Sequence, residues 1–275
     1  MNALDGHLHL CAVRAADGCT TLGPQSFRAP FHLSKPYWDP GAQVLHVQVV
    51  NPTAGILEGD RLQSAITVEA GAAMLVSTPS ATRLFQMTTG GHATGTQHFV
   101  VAAAATLEVF PEPMVPHRGS TYFQETRIDA AEGSTLLFID QLMPGRLAMG
   151  EAWAWDRLVL GLTVRHAGRL LLRERFDQTG AALRSSAAFT GTGPNSCFAN
   201  IVFLPPTMEA KPAWRDEIAA LHGGGVWLGL SHLRLHGWSF RIVAPDALRL
   251  RDTLSALRNI LRRFYPQLGC GLRRA

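Results

Sequence analysis

Lysine is almost missing from this chain: of 25 basic residues only Lys35 and Lys211 are lysine, and the rest are arginine. The loop NPTAGILEGDRLQ (51–63), with its two spaced glycines, has no lysine beside it and carries Glu58 and Asp60 where a phosphate would be repelled, which excludes a P-loop. Cysteine is scarce as well. Cys11, Cys19, Cys197 and Cys270 form no C-x-x-C pair, and a chain of 275 residues needs no disulfide framework, so reduced thiols are expected. Long apolar runs are lacking: the longest, Phe99 to Leu107, stops at Glu108, far short of the roughly 18 residues of a membrane span. The opening MNALDGHLHL has neither the basic start nor the apolar middle of a secretory signal, so a cytoplasmic protein without membrane contact is expected. There is no G-x-S-x-G, no nucleotide fingerprint and no cysteine nucleophile in a recognisable context. Asp140 and Glu151 could serve as acid and base, but acids so placed more often lie on the surface or in ion pairs, and the chain reads as non-enzymatic.

What is present is a folded-protein composition, 47% hydrophobic and 17% charged, long enough for one large all-β unit or two smaller ones. The net charge of +4 is spread over many strands and is densest near the carboxyl end. Such scatter describes a solvated surface, and no nucleic-acid partner is expected; a basic nucleic-acid-binding β protein is the alternative, and it would show strongly salt-dependent binding.

To about residue 180 the chain reads as short strands between turns such as Asp17-Gly18, Pro40-Gly41, Gly90-Gly91 and Glu132-Gly133. In QVLHVQVV, Leu45, Val47 and Val49 take one face and Val44, His46 and Gln48 the other, a half-buried strand. A weak repeat runs through AITVEAGAAMLVSTP (65–79), HFVVAAAATLEVFP (98–111), TRIDAAEGSTLLFID (126–140) and LTVRHAGRLLLRE (162–174). With Gly71, Ala103, Gly133 and Gly168 as turn positions and Leu75, Leu107, Leu137 and Leu172 at matching places, the spacings are 32, 30 and 35 residues. A period in that range predicts hairpin-like units stacked on one another, a mainly β fold of helical, solenoid-like topology.

The carboxyl end differs. Trp214, Ile218 and Leu221 predict a short helix after Pro212, and a second helix opens at Pro245-Asp246 with an apolar stripe of Ala247, Leu250, Leu254, Leu257, Leu261 and Phe264. Arg249, Arg251, Arg258, Arg262 and Arg263 lie mostly off the stripe, and the helix is expected to pack on the sheet. Residues 180–200 read as a loop-like break. The expectation is a single domain over 1–275, with a β-stack to about 210 and two α-helices in 211–275.

Metal chemistry has weak local signals. Glu58 and Asp60 are two apart in a turn and could point the same way, although turn acids commonly just face water. His7, His9 and Cys11 alternate onto one strand face, where imidazole and thiolate would suit nickel, zinc or copper; the alternative is the polar outer face of an edge strand. The remaining histidines show no H-E-x-x-H or H-x3-H spacing, so a closed site within the chain is not supported.

NPTAGILEGDRL, STPSATRLFQM, LEVFPEPMVPHRGSTYFQETRI and LLFIDQLMPGRLAMGEAW, in that order, resemble the urease accessory protein UreD (UreH) family over roughly residues 7–177. The family's glycine-rich turn falls on Asn51, Pro52, Gly55, Gly59 and Asp60; its threonine segment on Thr78, Ala81, Thr82 and Arg83; its LP-x-E segment on Phe110, Pro111 and Glu112; and its GR-x-x-x-GE segment on Gly145, Arg146, Gly150 and Glu151. Ala54 and Glu58 depart from the pattern, standing where glycines are usual, and Ala54 disfavours a positive φ. The resemblance implies a non-catalytic scaffold with no tightly bound cofactor, which with UreF and UreG delivers nickel to apo-urease. Cargo that must enter, pause and leave suits scattered carboxylates along a wet path, and Asp60, Glu112, Asp140 and Glu151 are expected to line it with transient Ni2+. The alternative is an adaptor without a metal path, acting through the stripe around Leu254 and Leu257.

Overall fold

A computed structural model describes residues 3–189, 193, 195–209 and 211–271. Runs of alternating apolar residues become strands: β1 (Asp5–Arg14), β2 (Thr20–Phe27), β3 (His32–Leu33), β4 (Tyr37–Asp39) and β5 (Val44–Val50). Then follow β6 (Arg61–Val68), β7 (Ala73–Ser77), β8 (Thr82–Leu84), β9 (Ala93–Val101), β10 (Thr106–Phe110), β11 (Met114–Pro116), β12 (Thr121–Ala130) and β13 (Thr135–Leu142). The remainder is β14 (Arg157–His166), β15 (Arg169–Gln178), α1 (Gly180–Phe189), β16 (Cys197–Leu204), α2 (Trp214–Ala219), β17 (Trp227–His232), β18 (Trp238–Ala244) and α3 (Ala247–Arg262).

Two sheets face each other. The first runs β15-β14-β12-β9-β6-β1-β2 and the second β17-β18-β16-β13-β10-β7-β5-β3. Their inner strands pair in parallel, β6 to β9 to β12 to β14 on one side and β5 to β7 to β10 to β13 on the other. Through these inner strands, β5 to β14, the chain alternates between the sheets, which makes a solenoid of about four turns, as the repeat predicts. Only the fourth repeat unit is a hairpin: β14 and β15 pair antiparallel, whereas β6–β7, β9–β10 and β12–β13 turn a corner into the opposite sheet. A corner and a hairpin share the same small-residue turn in sequence, so the two cannot be told apart locally.

The repeat also shifts by one residue in its second unit. The left-handed turn residues are Gly71 (φ 71°), Ala104 (φ 55°) and Gly133 (φ 73°), so Ala104 rather than Ala103 occupies the turn position. Glu108 then lies in register with Leu75 and Leu137, while Leu107 stacks between Met74 and Leu136 inside the sandwich.

Val47, Met74, Val76, Leu107, Phe99, Ile128 and Phe138 fill the space between the sheets. The outer face of the second sheet is covered in turn, since Leu137, Ile139, Ile201 and Phe203 pack with Trp214, Ile218, Leu250, Leu254, Leu257 and Leu261. Leu254 and Leu257 are therefore core residues of this chain, as packing on the sheet requires, and not an open partner stripe. Arg258 is a correction to the sequence reading, because it turns onto the buried face to meet Glu108. β5 is buried at its start on both faces, not on one. Asp246 caps α3 as its position predicts, accepting from the Arg249 amide at 2.8 Å.

A third helix, α1, stands where a loop is expected. Its alanines favour helix, Thr179 accepts from the Ala182 amide at 3.2 Å, and Leu183 anchors it against Trp153 and Trp155. The rest of that expected break includes residues 190–192 and 194, which lie outside the described residues.

Candidate functional site

The two edges of the solenoid differ. Chain crossings from the first sheet to the second use tight turns at 70–71, 103–104 and 132–133, while the returns use longer segments, 51–60, 78–92, 111–120 and 143–156. All four sequence segments singled out above lie on or beside these returns. They are knitted together by the parallel pair β8–β11, by a bridge from Ile56 to Leu84, and by the Ile56 amide donating to the Arg83 carbonyl at 2.8 Å.

Small residues make this packing possible. A side chain at Gly55 (φ 154°) would press on the Arg83 carbonyl at 2.5 Å, and one at Gly145 (φ 125°) would strike the Glu151 backbone. The left-handed positions fall on Gly55 and Gly59, not on Ala54, so the alanine is accommodated. Asn51 accepts from the Thr53 amide at 3.0 Å, closing a turn after Val50. Glu58 gathers the amides of Thr88, Thr89 and Gly91, which with the Thr89 hydroxyl hold its carboxyl below the usual range.

Behind this edge lies a cavity of about 300 Å³ between the sheets. Its wall from the first sheet carries a row of polar side chains among Leu8, Leu62, Ile66 and Phe99. The Tyr122 hydroxyl donates to Gln124 at 3.3 Å, Gln124 to Thr126 at 3.3 Å, and Thr126 to Gln97 at 3.1 Å; Ser64 stands beside Gln97 in the same rung. Gly95 leaves the space into which the Tyr122 hydroxyl leans. Among the described residues, the charged ones on the lining are Arg83, Glu112 and Asp140.

The four expected acids separate into two kinds. Asp140 reaches the cavity from β13 and makes no hydrogen bond or ion pair with a described residue; burial pushes its carboxyl up to about 7. Opposite it on β16, Asn200 keeps its Oδ1 buried and without a partner among the described residues. Glu112 is exposed at the mouth, its amide donating to the Thr78 hydroxyl at 2.8 Å. Asp60 and Glu151 do not join them. Both Asp60 oxygens are taken by backbone, from Leu4 and Leu57 at 2.8 Å each, which pins the first strand's approach to the glycine turn. Glu151 is paired with Arg146 at 2.6 and 2.8 Å and takes the Arg118 amide, so its carboxyl falls to about 2.

His7, His9 and Cys11 do share the outward face of β1, but β1 lies between β2 and β6 and is not an edge strand. Among the described residues no three His, Cys, Asp or Glu side chains gather as a metal-ligand set. An ion in the cavity would meet one carboxylate, amide and hydroxyl oxygens and water, which is the chemistry of brief residence. Gln97, Gln124 and Thr126 were not singled out from sequence; their signal is polar side chains at inward strand positions about one coil apart.

Comparison with known proteins matches residues 4–272 to a family described as UreD urease accessory protein. The chain is 56% identical over 269 residues, 98% of each chain, to a urease accessory protein UreD of Opitutus terrae. It is 32% identical over 221 residues to one from Deinococcus radiodurans, covering 76% of this chain and 77% of that one, and 25% identical over 253 residues to one from Acetivibrio thermocellus, covering 90% and 94%.

Proposed function

The chain belongs to the UreD urease accessory protein family and so has a role in urease maturation; on that premise we propose that it is a non-catalytic scaffold which, with UreF and UreG, passes nickel to apo-urease through the cavity between its sheets. The observation that carries this reading is the Asp140 carboxyl, without a partner among the described residues, in a mainly apolar cavity that carries one row of polar side chains. Nickel entering past Glu112 exchanges part of its water for Asp140 and the neutral oxygens of the opposite wall. With one charged ligand the ion is held weakly enough to move on. Asp60 and Glu151 serve the same function indirectly, by shaping the edge through which the cavity opens.

Activation of apo-urease by UreF, UreG and this chain, with Asp140→Asn beside wild type, tests the reading. Nickel content and urease activity should drop with the variant while the accessory complex still co-purifies. Equal nickel content with both proteins would leave only the adaptor role.

A further inference from the structure

We propose that His7 and His9 together form an exchangeable binding site for a borderline-soft divalent cation, such as nickel, zinc or copper, on the outer face of the first sheet. The two residues are i and i+2 on β1, so their side chains stand on one face with Leu8 pointing into the core between them. β1 is held on both sides, antiparallel to β2 and parallel to β6, which fixes the backbone that carries the two rings. The ring centres are 5.3 Å apart. Two imidazoles sharing an ion through metal–nitrogen bonds of about 2.0–2.1 Å, at right-angled to tetrahedral openings, have centres about 4.5–5.5 Å apart. The pair is thus already spaced for chelation.

Neither imidazole has a hydrogen bond to a described residue. Other histidines are committed: His46 contacts the Ser77 hydroxyl at 2.7 Å, His98 the Asp129 carboxylate at 2.8 Å and His236 the Pro205 carbonyl at 2.7 Å. His166 and His236 stack face to face at 4.1 Å with planes 4° apart, so their in-plane lone pairs cannot converge on one ion. At the His7–His9 face the neighbours in register are Gln63, Ala65 and Ser26. The alanine leaves room, and the amide and hydroxyl supply oxygens beside coordinated water.

Cys11 is on the same face but outside the site. Its thiol is turned to Glu69, which it contacts at 3.8 Å. A site of two imidazoles and water exchanges its ion readily, in contrast to a closed four-ligand site.

The inference does not depend on the cavity reading, because the residues are different. Calorimetric titration of the full chain with NiCl2 should show one equivalent that His7→Gln/His9→Gln loses and that Cys11→Ser and Asp140→Asn retain. Each single histidine variant should weaken that equivalent on the order of tenfold or more, as a chelate becomes a single ligand. An unchanged titration in the double variant, or loss in Cys11→Ser, overturns the proposal. In the unmodified protein, substoichiometric Ni2+ should broaden the ring resonances of His7 and His9 before those of His46 and His98. Broadening elsewhere with these two untouched also overturns it.

Discussion

Glu108 of β10 and Arg258 of α3 form a two-pronged ion pair in the interior, with Glu108 1% and Arg258 7% exposed. The carboxylate occupies the place that Leu75 and Leu137 hold in the neighbouring strands. Arg258 also donates to the Cys270 carbonyl at 2.7 Å, so one guanidinium ties the sheet, the last long helix and the segment after it. Burial raises the Glu108 carboxyl and the guanidinium opposes that shift.

Removing one partner strands the other charge. Glu108→Ala or Arg258→Ala should each cost about 3–5 kcal/mol in urea unfolding. Glu108→Leu with Arg258→Met, which restores the leucine row, should recover most of that loss. A double variant as unstable as the singles would show that the pair does more than fill the row.

Asp140 makes stability pH-dependent. An unfolded aspartate ionises near 3.8, whereas this one is pushed up to about 7 by burial, so the native state holds the proton over the interval between. Native stability is accordingly lost as pH rises through that interval. Asp140→Asn removes the penalty. Its unfolding free energy from urea titration should match wild type near pH 4 and exceed it at pH 8, by on the order of 2 kcal/mol once cavity water is allowed for.

Glu151 works in the opposite sense. Its carboxyl is lowered to about 2 by Arg146, so its stabilisation is present above the ordinary carboxylate range and fades as pH falls toward 2. Glu151→Gln should lower the thermal midpoint by a few degrees at pH 7 and approach wild type in strong acid. A deficit independent of pH would assign the effect to packing.

Asp60→Ala should cost about 1–3 kcal/mol, because the half-buried amides of Leu4 and Leu57 lose their acceptor. Loss of urease activation in this variant should follow loss of folded protein, measured by circular dichroism on the same samples. A fully folded variant that fails in activation would return Asp60 to the nickel path.

Gly95→Ala places a methyl against the Tyr122 hydroxyl, at the wall of the cavity, whereas Gly133→Ala meets nothing within 4 Å at a tight turn with φ 73°. Both should lower stability, the second by about 1 kcal/mol of backbone strain. Only Gly95→Ala should reduce nickel transfer at matched amounts of folded protein.

Much of the architecture was legible because the coils repeat. A spacing of 32, 30 and 35 residues between small-residue turns announced stacked units, and capping chemistry at Asp246 announced α3. The one-residue slip at Ala104 was not legible. Alanine marks neither residue of the turn as left-handed, and so the register that puts Glu108 among leucines stayed hidden. The cavity was half legible. Asp140 stands within a recognisable segment, but Gln97 and Gln124, linked through Thr126, line the same cavity only because separate coils and two sheets are folded around one space. Asp60 and Glu151 share the segments' chemistry but answer to backbone amides and an arginine, which spacing cannot reveal.

The 150 residues between Glu108 and Arg258 have a consequence for the growing polypeptide. Each coil can settle on the one before it soon after leaving the ribosome, since its partners lie only about a coil upstream. The outer face of β10 and β13 meets α2 late and α3 later still, so until residue 258 is made it keeps an incompletely covered apolar surface and a lone carboxylate. Synthesis halted between Gln178 and Ala247 would therefore release a solenoid that is wound but not fully capped, a species suited to sticking to itself.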